Sequence, residues 1–301
     1  MHESTPHADE CLASSKSLID RQVYLIDGAF TQMNTRRYPA QMRTTKSYVA
    51  GGKCVSKPTI QIAIIGHQPP DFDARELASW RSDVFAVSPN IESFQLNEDA
   101  EGEDWEFTDA QFEAIVRRDP TCDFLIVFVT VKLEKNWYLR RLSDNRAVFT
   151  FYEMDQIVRH HRLPLKNLAL RVLYAAVLVF KRYRNRIPLA SENTNYAHDE
   201  TRGCLFDMNA NKMDVVHSLH RPCVCERCCS QLKQAQVSNE FIEIVNKELR
   251  RVQKPLVDRL GDFVRAHTVI SIILSLISAL ILGIAASLIA TWLYEGFRTA
   301  T

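Results

Sequence analysis

Apolar positions in the middle of the chain fall into two patterns, which predict short buried strands and one long helix. Ile60 to Ile65 is a mostly apolar run closed by Gly66, the pattern of a buried strand. Asp73–Trp80 has helical character. An acidic stretch follows, with Glu98, Asp99, Glu101, Glu103 and Asp104 between Asn97 and Trp105, and reads as a solvated loop. Asp123–Val131 is apolar on both faces and so belongs in the centre of a sheet. Ala147–Phe151 is a further strand. Leu165–Arg182 is a strongly apolar helix, with Leu168, Val172, Leu173, Ala176, Val179 and Phe180 at 3–4 spacing. Together these elements predict an α/β domain.

The C-terminal fifth changes character. Over 236–267 a charged amphipathic helix is expected, with Val245, Leu249, Val252, Leu256 and Phe263 near heptad spacing and an interruption at Pro255. A packed helix and an oligomerising stalk both explain that row. Thr268 to Tyr294 then runs 27 residues without a charged side chain. At about 1.5 Å per residue this is roughly 40 Å of helix, where a hydrocarbon core needs only about 20 residues. A single transmembrane helix is expected, with Trp292 and Tyr294 at its far interface. Arg250, Arg251, Lys254, Arg259 and Arg265 precede it and Arg298 follows. The positive-inside rule then places 1–267 in the cytoplasm, as a single-pass, tail-anchored protein of the cell's inner membrane.

Six small residues recur at every fourth position of the span: Ser271, Ser275, Ala279, Gly283, Ser287 and Thr291. They make one narrow stripe of the kind that lets helix backbones approach. Membrane helices are rich in small residues in general, but six in unbroken register favour helix–helix association and a homo-oligomer. The hydroxyls in the stripe can bond across helices or line a pore in a larger assembly.

Composition narrows the picture further. The chain has 301 residues, 46% hydrophobic and 24% charged, which excludes collagen-like and wholly disordered proteins and allows one or two domains with real cores. Lys+Arg 37 against Asp+Glu 36 gives no support for a nucleic-acid binder. Met1 to Asp20 is polar and lacks the apolar stretch of a signal peptide. The rest of 1–57 is a mixed polar arm, with one possible strand at 23–26 and no assigned function. There is no GxGxxG and no GxxxxGK[ST]. His160 and His161 read as surface residues.

Eight cysteines without a signal peptide do not read as a disulfide scaffold, and five of them lie between Cys204 and Cys229. Cys225-x-x-Cys228 has zinc-knuckle spacing. With Cys204 and one of His198 or Asp199 it makes a closed tetrahedral zinc site, the structural kind. Cys223 and Cys229 compete as ligands, and His217 and His220 are alternatives.

The same segment resembles the archaemetzincins, zinc metalloproteases whose HExxHxxGxxH is followed by C-x4-C-x-M-x17-C-x2-C. His198 resembles the third catalytic His, and Asp199 stands where the first Cys would be. Glu200, Thr201, Arg202 and Gly203 fill the x4, and Cys204 matches the second Cys. Twenty residues separate Cys204 from Cys225, where the family has nineteen, and Cys228 completes the pattern. The resemblance spans 58–235 and includes the strand at 147–151 and the helix at 165–182. The departures are larger than the match. That helix has neither His nor Glu, no HExxH occurs in the chain, and Phe206 replaces the Met. A zincin needs both His and the Glu. The resemblance therefore implies a metzincin-like α/β (α+β) domain with structural Zn2+ retained and peptidase chemistry lost. A linker helix and a membrane span follow it.

The function expected is a catalytically inactive, zinc-stabilised sensor or interaction domain for an unidentified cytosolic protein or ligand. It is anchored in membrane lipid by a self-associating tail. By analogy with membrane effectors of bacterial anti-phage systems, gathered spans would perturb the membrane. Two alternatives stand beside it. One is a membrane-anchored metallopeptidase using His198, His217 and His220 with Asp199 or Glu200. The other is a plain scaffold that recruits a soluble enzyme.

Overall fold

The computed structural model describes residues 57–192, 194–198, 203–209 and 211–299. The polar arm lies outside the described residues except for Lys57, as do the strand at 23–26, Asp199 and Glu200. The strands are β1 (Thr59–Ile65), β2 (Ala86–Phe94), β3 (Phe124–Val129), β4 (Leu139–Leu142) and β5 (Arg146–Thr150). They form one sheet in the order β2-β1-β3-β5-β4. β2, β1, β3 and β5 are parallel, and β4 folds back antiparallel on β5.

The expected central strand is central: all six residues of β3 are buried. Alternation along it serves two cores. Phe124, Ile126 and Phe128 face one layer with Ile60, Ile62, Ala147 and Phe149. Leu125, Val127 and Val129 face the other with Ala63, Ile65, Val148, Phe112 and Val116. β2 carries no apolar signal because it pairs only with β1, at the edge, and it contains Pro89. A proline there removes a ladder donor, and the β1–β2 register slips between Ile60 and Ile62.

The helices are α1 (Arg75–Ala78), α2 (Asp109–Ile115), α3 (Met154–His160), α4 (Leu165–Arg182), α5 (Val215–His220), α6 (Glu226–Gln234), α7 (Asn239–Leu249), α8 (Leu256–Ala266) and α9 (Thr268–Thr299). α4 has the expected bounds and packs along the larger core. The acidic stretch is a loop with a 3-10 turn at Glu103–Trp105.

The expected single helix over 236–267 is two helices. Arg250 to Pro255 separates them, and Pro255, which has no N–H to donate, stands at the α8 N-cap. The apolar row divides with the backbone. Phe241, Ile242, Val245, Leu249 and Val252 pack into the same core as α4, whereas Leu256 and Phe263 are exposed. Tyr174 of α4 donates to Glu248 Oε2 of α7 at 2.6 Å, and the other Glu248 oxygen accepts from Asp83 N at 2.6 Å. These bonds fix α7 against the sheet domain.

α9 begins at Thr268, and Thr268–Trp292 is long and apolar enough to cross a membrane, with none of its length buried. In this helix the row of small residues turns about 40° around the axis at each step, because four residues exceed one turn of 3.6. It is thus a strip inclined to the helix axis.

Candidate metal centre

Two strand-like contacts bring the candidate ligands together. Cys204 bridges Cys223, with Cys223 N donating to Gly203 O and Leu205 N donating to Cys223 O, both at 2.9 Å. His198 bridges Asp207, with His198 N donating to Phe206 O at 3.1 Å and Met208 N donating to His198 O at 2.8 Å. Gly203 makes the tight turn possible. Its φ is +151°, and a Cβ there would lie 3.0 Å from Arg221 O.

Cys225 is the N-cap of α6 and Cys228 lies in its first turn, so both sulfurs are carried at one helix N-terminus. The ligand atoms of His198, Cys204, Cys225 and Cys228 all lie within 4.8 Å of one another. All but the half-buried Cys225 are buried. Cys204 Sγ and Cys228 Sγ are 3.8 Å apart, and Cys225 Sγ is 3.4 Å from His198 Nε2.

These distances fit a tetrahedral zinc ion. With Zn–S of about 2.3 Å and Zn–N of about 2.0–2.1 Å, the tetrahedron's S–S edge is about 3.8 Å and its S–N edge about 3.6 Å. Hydrogen bonds from the Cys228 thiol and from the backbone N–H groups of Cys225 and Phe206 outweigh burial and push Cys204 down to about 5. Cys228, the donor in that pair, is pushed up. Burial pushes the Cys223 thiol up to about 11 and raises that of Cys229.

Among the described residues, then, the structure gathers four of the five expected metal residues and leaves Asp199 undescribed. Cys223 and Cys229 fall outside the group, and Cys229 Sγ donates instead to Val224 O at 3.5 Å. His217 and His220 lie on α5 and are not part of that group. His220 meets His161 edge to face, with ring centroids 6.4 Å apart. His160 is exposed and His161 half-buried.

Asp207 and Arg171 are parts of the site that the spacing did not reveal. Asp207 Oδ2 accepts from Gly203 N and Cys204 N at 2.9 and 3.1 Å, and Oδ1 faces His198 Nδ1 at 3.6 Å. Buried Arg171 of α4 donates to Leu205 O, beside Cys204, and to Ser218 Oγ of α5. Asp207 lies three residues past a ligand, a place where an outer-shell carboxylate can be sought. Arg171, inside an apolar helix, had no such cue.

Three thiolates and one imidazole complete a four-coordinate shell. An ion held there clasps 198–209 to 223–228 and offers no open position of its own.

No protein-family model matches the chain, and no curated protein matches it. Its fold is distantly similar to the crystal structure of an archaemetzincin from Methanopyrus kandleri, at 13% identity and a TM-score of 0.36, over 60% of this chain and 96% of that one.

Proposed function

We propose that this chain is a non-hydrolytic, zinc-stapled interaction domain, facing the cytoplasm and held at a membrane by a tail helix that self-associates. The four-donor set carries the zinc-stapled part of the reading, because it fills the coordination of that ion and leaves it no place for a hydrolytic water, and the lack of HExxH in the sequence supports the non-hydrolytic part. α4, which touches the site through Arg171, supplies no His, Asp or Glu. The apolar Thr268–Trp292 is the anchor, and the basic residues before it set the orientation.

The inclined row from Ser271 to Thr291 is the proposed contact between copies. Pairing along such a row gives a right-handed crossing of about −40°. Thr291 Oγ1 is satisfied within its own helix by Ser287 O at 3.0 Å. Ligand binding to the domain then gathers spans and perturbs the bilayer. A role in bacterial anti-phage defence follows by analogy of architecture alone.

The test is the full chain in lipid vesicles, with oligomer size read by cross-linking and leakage by dye release. Wild type is expected to form oligomers, and Gly283→Leu and Ser275→Leu are expected to leave monomers that release less dye. Unchanged oligomers overturn the contact. Peptide hydrolysis by metal-loaded protein overturns the non-hydrolytic reading and favours the metallopeptidase.

A further inference from the structure

α8 is amphipathic, contains no buried residue, and presents its apolar side away from the domain. Leu256, Val257 and Leu260 are 77%, 81% and 64% exposed, and Phe263 and Val264 are exposed beside them. At about 100° per residue these five occupy an arc of about 120°. Asp258, Asp262 and Arg265 lie on the other side.

One clamp decides which side looks outward. Lys254 Nζ is buried and donates to His161 O and to Asp262 Oδ2, both at 2.6 Å. Asp262 stands nearly opposite the centre of the apolar arc. The ion pair therefore holds the polar side of α8 against the domain and turns the apolar side out.

The helix is also tethered to the apolar one that follows. His267, with φ −130° and ψ 53°, breaks helical geometry, so α8 and α9 are separate helices joined at one non-helical residue. Val264 precedes Thr268 by four residues, a reach of at most about 14 Å. If α9 enters a bilayer, the last turn of α8 is confined to that bilayer's surface.

We propose that α8 lies in the plane of the membrane, with Leu256, Val257, Leu260, Phe263 and Val264 seated at the headgroup–acyl boundary of the lipid. This rests on the proposed function only in taking α9 as membrane-inserted. A second copy is the weaker occupant, since five side chains fall far short of the about 20–30 residues a side of a stable dimer. Lipid needs no such area, and a helix of this pattern is the kind that lies at an interface. The domain is thereby held close to the bilayer instead of swinging on a free linker.

The experiment places the photoreactive benzoylphenylalanine at Leu260, at Arg265 or at Ile277 of the full chain. Each variant is reconstituted in vesicles of phosphatidylethanolamine and phosphatidylglycerol, and the adducts are weighed by mass spectrometry. Lipid adducts are expected at Leu260 and Ile277, with at least a several-fold lower yield at Arg265. Adducts at Leu260 to a second chain, no adduct there, or equal lipid yield at Arg265 overturn the in-plane helix while Ile277 still reports insertion. Absence of lipid at Ile277 overturns the membrane anchor and this proposal with it.

Discussion

His198 Nδ1 faces Asp207 Oδ1 at 3.6 Å, with side chains only 2% and 3% exposed, while Nε2 of the same ring points at the Cys225 sulfur. The second Asp207 oxygen accepts from the backbone at Gly203 and Cys204. One carboxylate thus faces the imidazole and fixes the loop that carries Cys204. This is the outer-shell arrangement that sets the tautomer of a metal-binding histidine.

Asp207→Ala is therefore expected to weaken zinc binding by about 10–100-fold without removing a ligand. Competition against a chelating fluorophore, on the full chain in detergent, measures it. Unchanged affinity would mean that Asp207 serves the loop alone.

Gly203→Ala places a Cβ 3.0 Å from Arg221 O at a φ of +151°. The expected cost is about 1–3 kcal/mol of stability. Thermal melting should show it in metal-loaded and metal-free protein alike, because the strain belongs to the backbone. A loss confined to the metal-loaded form would place the effect at the ligands instead.

The histidines at the α8 clamp give a pH dependence of definite sign. Burial first, and then neighbouring positive groups including Lys254, hold His161 and His220 below their ordinary 6.5. Between the folded and unfolded values the unfolded chain binds more protons. Their contribution is complete above about pH 6.5 and is lost as pH falls through the folded values. Melting temperature, followed downward from pH 7.5 in zinc-saturated protein, should drop less steeply for His161→Gln/His220→Gln than for wild type. An identical slope would remove the pair as a cause.

What the sequence made legible follows from burial. β3 and α4 were readable because burial demands apolar residues along most of their length, and Thr268–Trp292 because its run is apolar and uncharged throughout, although none of it is buried. β2 and β4 were not, because edge strands need few apolar positions and carry residues such as Pro89, Arg140 and Arg141. α2 left a signal that was missed: Thr108 and Gln111 form a capping box, with Thr108 Oγ1 accepting from Gln111 N and Gln111 Oε1 accepting from Thr108 N. The four gathered ligands were legible from CxxC and the upstream Cys and His. Which acceptor would face His198 depends on the turn at 203–207, a feature of backbone geometry that ligand spacing does not encode. The heptad row across 236–267 misled, since one half packs into the core and the other faces away from it.

The zinc clasp is tested most directly by counting metal. Full-length protein purified in detergent, analysed by inductively coupled plasma mass spectrometry, is expected to carry one zinc per chain. The Cys204→Ser/Cys228→Ser variant is expected to carry none and to melt at lower temperature. Wild-type protein that is folded and metal-free, or a double variant that keeps its zinc, would contradict the account.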